Sequence, residues 1–162
     1  MTERKVPKLI VFDLDYTLWP FWVDTHVTPP FQKGKGNEVV DAHGQKIRYY
    51  KEVPDVLEDL TKQKFELGVA SRTSEIQGAN QLLQLFGWDK YFKYKEIYPG
   101  SKVTHFERFH KNSGYSYREM LFFDDEHRNI QDLTKVGVMS ILVQNGVNHS
   151  VVKNGLEKFS KQ

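Results

Sequence analysis

The chain has 162 residues, enough for one domain with its own core and no need of covalent staples. With 39% hydrophobic and 27% charged residues it has the make-up of a globular protein, and a net charge of +2 gives no reason to expect nucleic acid or an anionic membrane as partner. The lack of cysteine excludes disulfides, thiolate zinc sites and a cysteine nucleophile.

In chain order, Met1-Thr2-Glu3-Arg4-Lys5 is charged but leads only into a short apolar strand, not a signal-peptide core. No apolar run approaches the ~18 residues of a membrane span. A soluble cytoplasmic protein is therefore expected. Residues 8–12 read as the first buried strand, and Leu9-Ile10-Val11-Phe12 runs straight into Asp13-Leu14-Asp15-Tyr16-Thr17. The next stretch, from Trp19 to Phe31, is aromatic and Pro-rich without a helical period. Residues 32–45 turn to Gly, Lys, Asn and Asp. Val39-Val40 and Ile47-Arg48-Tyr49-Tyr50 flank Asp41-Ala42-His43-Gly44 as a hairpin would. Residues 20–50 are thus expected to form a small β-rich cap insertion within a single domain spanning 1–162.

Pro54 opens a helix over about 54–64, with Val53, Val56, Leu57 and Leu60 on one face. Residues 67–70 form a second buried strand, ending in Ser71-Arg72. Ser74-Glu75-Ile76-Gln77 has the pattern of a capping box, and the helix it starts runs to Gly87. Residues 91–98 read as a Lys-rich edge strand, a solvated edge being favoured over a nucleic-acid contact. Ser101 caps a helix reaching about residue 112. Residues 120–123 form a third buried strand, ending in Asp124-Asp125. A helix stopping at Gly137, a strand over 138–143 and a closing helix over 151–159 complete the chain. Strands alternating with helices give an α/β fold, a Rossmann-like three-layer sandwich with a mostly parallel central sheet. In such sheets ligands bind beyond the carboxyl ends of the strands.

Those ends carry the chemistry. A lone Asp-x-Asp serves equally well to cap a turn, but Asp13, Asp15, Asp124 and Asp125 cannot all sit together ionised without a cation between them. Oxygen-only ligands suit magnesium, which takes one or two carboxylates plus phosphate. Ser71 supplies a hydroxyl at a strand-to-helix turn, although serine there is also a common helix cap. Arg72 reads as either a phosphate partner or a solvated charge. Lys102 is one of 23 basic residues, and only its place in the series Asp-x-Asp, Ser, Lys, Asp-Asp marks it out. Among Trp19, Phe21, Trp22 and Phe31, packing within the cap competes with one functional reading: Trp22 walls the leaving-group pocket. The six histidines show no zinc-ligand spacing, and His105, His110 and His127 read as surface or cap residues.

The ordered set Asp13-Leu14-Asp15-Tyr16-Thr17, Ser71, Lys102 and Asp124-Asp125 resembles the haloacid dehalogenase superfamily of phosphotransferases. The longer segments Phe12 to Pro20, Ser71-Arg72-Thr73-Ser74-Glu75 and Phe122 to Glu126 are similar to its small eukaryotic magnesium-dependent phosphatases, which lack a large cap. The resemblance implies a magnesium-dependent phosphomonoesterase acting on protein phosphotyrosine, on sugar-6-phosphates of glycated amines (fructosamine-6-phosphate type), or on both. It implies Asp13 as nucleophile, forming an aspartyl phosphate, and Asp15 as acid and base. Ser71 and the amides of Leu14 and Arg72 would hold the phosphoryl oxygens. Lys102 would neutralise Asp13, and Mg2+ would sit on Asp13, the Asp15 carbonyl and the Asp124–Asp125 pair, preferentially Asp125. Thr17 is expected to be structural. A phosphoacceptor receiver-like signalling domain and a non-catalytic phosphopeptide-binding module are the competing readings. The first is disfavoured because Lys102 precedes the second acid pair, and the second would not need Asp15. Dehalogenation has no use for magnesium or an acid at position 15. Oligomeric state is not legible.

Overall fold

The computed structural model describes residues 5–162. Its elements begin with β1 (Leu9–Phe12), β2 (Gln32–Lys33), β3 (Val39–Val40), α1 (Val53–Lys62), β4 (Glu66–Ser71) and α2 (Ile76–Leu85). They continue with β5 (Phe92–Ile97), α3 (Lys102–Ser113), β6 (Met120–Asp124), α4 (His127–Val136), β7 (Met139–Leu142) and α5 (His149–Ser160).

The main sheet has the order β5-β4-β1-β6-β7, and every neighbouring pair is parallel. β1 is central and wholly buried because both of its faces are covered, which is why its sequence is a continuous apolar run. Ile10 and Phe12 pack into the core that takes the apolar faces of α1, α2 and α5. Leu9 and Val11 point the other way, into a core with Phe106 and Phe109 of α3 and Leu133 of α4. The result is the expected three-layer α/β sandwich. Gly155 of α5 makes this packing tight: a Cβ there would lie 2.6 Å from Phe123 Cζ. No described helix is long and apolar enough to cross a membrane.

From β1 the chain builds outward to β4 and β5, then returns to the other side of β1 for β6 and β7. The connections diverge between β1 and β6, which is the crevice where open parallel sheets bind ligands. Phe12 stands opposite Phe123 in the register, so Asp13 and Asp124 emerge side by side there. The Asp13 amide donates to the Phe123 carbonyl at 3.0 Å.

Three local expectations need correction. The hairpin around residues 41–44 is present but much shorter than expected. Val39–Val40 pairs mainly with Gln32–Lys33; across the turn Val40 bridges Lys46, the Ile47 amide donates to Val39 O at 2.8 Å and the Asp41 amide to Gln45 O at 2.9 Å, and no further ladder follows. The buried Asp41 carboxylate adds to the turn by accepting from the amides of Thr28, His43 and Gln45. Tyr50 then leaves the loop to donate its amide to Leu18. The cap region is therefore largely irregular, with one small antiparallel pair. At α2 the cap is Glu75, whose carboxylate accepts from Gly78; Ser74 makes no capping bond. His105 is completely buried, not a surface residue, whereas His110 and His127 are exposed.

Candidate active site

The turn after β1 is wound on one carbonyl. Leu14 O accepts from the amides of Thr17 and Leu18 at 3.0 and 2.8 Å. Tyr16 adopts a left-handed φ of 57°, which turns the chain so that its amide donates to Trp19 O. This keeps Asp13 and Asp15 on the same side of the turn.

Beneath it lies an ionic network. Lys102, first residue of α3 and 1% exposed, donates from Nζ to Asp13 Oδ1 and to Asp124 Oδ2, each at 2.7 Å. Burial works to lower the Lys102 pKa, but the carboxylates of Asp13 and Asp124 outweigh it and hold the ammonium above the ordinary lysine value. Asp124 is fully engaged: Oδ2 also accepts from Asn129 Nδ2 at 3.0 Å and Oδ1 from the Glu126 amide at 2.8 Å. Burial, then the charge of Asp13, pushes its pKa up.

Asp125 is different. Burial, a hydrogen bond with Asp13 and the charges of Asp13 and Asp124 push its carboxyl up to about 8. Oxygens of Asp13, Asp124 and Asp125 all lie within 4.8 Å of one another. An all-oxygen set this tight, with strained ionisation, fits a hard divalent cation. Lys102 and Thr17 occupy the Asp13 oxygens and Lys102, Asn129 and the Glu126 amide those of Asp124, which leaves Asp125 as the member of the cluster without a lysine partner.

Asp15 sits above this network. Its Oδ1 accepts from the Trp19 indole at 2.8 Å and from the Val23 amide at 3.1 Å. Burial nevertheless raises its pKa to about 7, since it outweighs those two bonds and the Asp13 charge adds to it. A carboxyl of that kind suits proton transfer near neutral pH.

These groups open on a cleft of about 450 Å³ whose walls include Asp13, Asp15, Ser71, Lys102 and Asp125. Arg72 is half-buried in its wall with Nη1 3.5 Å from Asn129 Oδ1, so it is not freely solvated. Leu14 is wholly buried and is not among the residues that line the cleft. Trp19, Phe21 and Phe31 are buried in the core, but Trp22 is 47% exposed at the cleft mouth. Its indole stacks on His26 at 5.2 Å and meets Tyr16 edge-on at 5.7 Å.

Four contributors escaped the sequence reading. Thr17, expected to be structural, donates from Oγ1 to Asp13 Oδ2 at 3.1 Å and so orients that carboxylate. Asn129 lies four residues before buried Leu133, on the inward face of α4, a spacing that marks it as a buried amide. Trp19 holds Asp15, and a buried indole N–H always calls for such an acceptor. Arg128 lines the rim of the cleft with no sequence signal of its own.

Comparison with known proteins agrees with this architecture. The family described as Acid Phosphatase matches residues 5–162. The chain is 57% identical over 157 residues to the human protein named Magnesium-dependent phosphatase 1, covering 97% of this chain and 89% of the relative. Its fold matches a HAD-superfamily hydrolase from Ehrlichia chaffeensis with a TM-score of 0.71 at 10% identity, covering 97% and 99% of the two chains. It also matches the N-terminal phosphatase-domain part of a Bacteroides fragilis protein, solved in complex with Mg. That likeness has a TM-score of 0.57 at 14% identity, over 86% of this chain and 36% of the other.

Proposed function

Given that this chain belongs to the acid phosphatase family, with the fold of the haloacid dehalogenase superfamily, we propose that it is a magnesium-dependent phosphomonoesterase working through an aspartyl phosphate on Asp13. The observation that carries the reading is the meeting of Asp13, Lys102, Asp124 and Asp125 at two adjacent strand ends, with Asp15 poised above them.

Asp13 is held for attack by Lys102 on one oxygen and Thr17 on the other. Its oxygen forms a bond to phosphorus as the ester bond to the leaving group breaks. Asp15 donates its proton to the departing oxygen and then, as carboxylate, takes a proton from the water that attacks the phosphoenzyme. Orthophosphate leaves and Asp13 is restored. Ser71 and the amides of Leu14 and Arg72 receive the phosphoryl oxygens. Mg2+ would be held by Asp13, Asp125 and the Asp15 carbonyl, and when bound it supplies positive charge to the phosphoryl group. Lys102 keeps the remaining carboxylate of the network, Asp124, compensated.

The leaving group meets Trp22. Its exposed ring beside the cleft supports a flat phenolic ester or the face of a sugar as substrate, in keeping with phosphotyrosyl protein or a glycated-amine 6-phosphate. The insertion over residues 20–50, read as a cap within one domain, is small, which supports an open site that could admit either.

The test is phosphate release from p-nitrophenyl phosphate. It should require magnesium, stop with EDTA and fall at least about a thousandfold in Asp13→Asn, since the covalent route is lost. Activity that survives both EDTA and D13N would remove this mechanism.

A further inference from the structure

His105 is the other polar residue on the buried stripe of α3, one turn beyond Lys102. It is 0% exposed and its ring stacks face to face on Tyr98 at 4.3 Å. Its Nε2 lies 3.0 Å from Ser71 O and 2.9 Å from Tyr98 O, while Nδ1 lies 3.1 Å from Ser101 O. Two carbonyls converge on Nε2 and one on Nδ1; the single proton of a neutral ring is assigned to Nε2, where it serves two acceptors, and the Nδ1 approach to Ser101 O then carries no hydrogen bond. Burial, reinforced by the neighbouring Lys102 ammonium, pushes the pKa below the usual 6.5, in keeping with a neutral ring carrying that one proton.

The three carbonyls belong to the end of β4, the turn after β5 and the cap of α3. Ser71 carries the hydroxyl at the floor of the cleft, and Ser101 immediately precedes Lys102. Resting on the phosphatase reading above, we propose that His105 is a positioning residue that fixes the Ser71 hydroxyl relative to the Lys102 ammonium, so that both meet one phosphoryl group. The Tyr98 amide donates to Ser71 O at 3.0 Å, just beyond the parallel ladder in which Ser71 stands opposite Ile97, and His105 Nε2–H adds a link from the helix to both carbonyls. Without the imidazole, nothing in this set ties α3 directly to Ser71.

Inorganic phosphate, titrated calorimetrically in the presence of magnesium, reads this without relying on turnover. His105→Leu should weaken phosphate at least tenfold and raise KM more than it lowers kcat. His105→Gln, which keeps an N–H donor, should recover most of the loss. In a double-mutant cycle, Ser71→Ala should cost little further once His105 is Leu, because the two act as a unit. A folded H105L protein that binds phosphate as tightly as wild type, or full additivity with S71A, overturns the proposal. If H105L does not fold, the same cycle is run with His105→Phe, which keeps a ring stacked on Tyr98 but has no N–H, and full additivity with S71A there overturns the proposal equally. Absence of magnesium-dependent phosphate release by the wild-type protein is a separate result, which would instead strike at the phosphatase reading.

Discussion

The two halves of the cleft are built in opposite ways. The floor consists of strand ends and the first turn of α3, where Lys102 and Asp124 are 1% and 0% exposed and charge-assisted hydrogen bonds join Lys102 to Asp13 and Asp124. The rim presents Trp22, 47% exposed on an irregular loop, its indole stacked on His26 and both rings meeting Tyr16 edge-on. Groups that must stay within a few tenths of an ångström of a reacting phosphorus sit on the rigid sheet. Groups that meet a variable leaving group sit where the backbone is free to differ. Under the proposed mechanism, chemistry belongs to the floor and selection to the rim.

That division is most exposed to challenge at Lys102. Lys102→Met leaves Asp13 and Asp124 buried beside each other with no cation. Removing one partner of a buried ion pair costs about 3–5 kcal/mol. For a chain of this size that lowers the melting temperature by roughly 6–20 °C. Thermal denaturation, together with loss of phosphate release, checks it. A K102M protein melting within a degree or two of wild type would show that charge does not hold the floor together.

Asp15→Asn separates catalysis from structure within the floor. The amide oxygen of Asn still accepts from the Trp19 indole and the Val23 amide, so the turn should survive and the melting temperature should hold. What disappears is the proton that Asp15 gives and takes. General acid–base catalysis of this kind contributes about 10²- to 10⁴-fold. Steady-state turnover should fall by that range while phosphate still binds. Unchanged turnover would take Asp15 out of the reaction.

The same contrast explains what the sequence could and could not tell. The floor was legible because buried strands ending in carboxylates are a costly pattern, and Asp13, Asp15, Asp124 and Asp125 all stand at such ends. Lys102 was legible only through its order in the chain. His105 was not, because helical periodicity was read from apolar residues alone. Yet Lys102, His105, Phe106 and Phe109 fall at i, i+3, i+4 and i+7, so the stripe itself marks both polar members as buried. The irregular segment from Trp19 to Tyr50 offers no period to read. Its shape is fixed by single side chains such as Asp41, which accepts from three backbone amides across the loop. The exposed ring of Trp22 and the buried one of Trp19 stand three residues apart in the same aromatic run, and composition does not distinguish them.

The smallest expected effect falls on that exposed ring. Trp22→Ala removes a side chain whose aromatic neighbours are Tyr16 and His26, so the melting temperature should stay within about 2 °C of wild type, as for other surface substitutions. Stacking between aromatic rings is worth about 0.5–1.5 kcal/mol, which predicts a KM raised roughly two- to tenfold for a phenolic phosphate. A small ester such as methyl phosphate cannot reach the ring and should be hydrolysed with unchanged KM. Asp13, Asp15 and Lys102 are untouched, so kcat should hold for both esters. Comparing the two KM values measures the rim alone. An equal rise for both would mean that Trp22 shapes the floor as well, through the turn that Tyr16 shares with Asp15, and the separation of chemistry from selection would fail at that point.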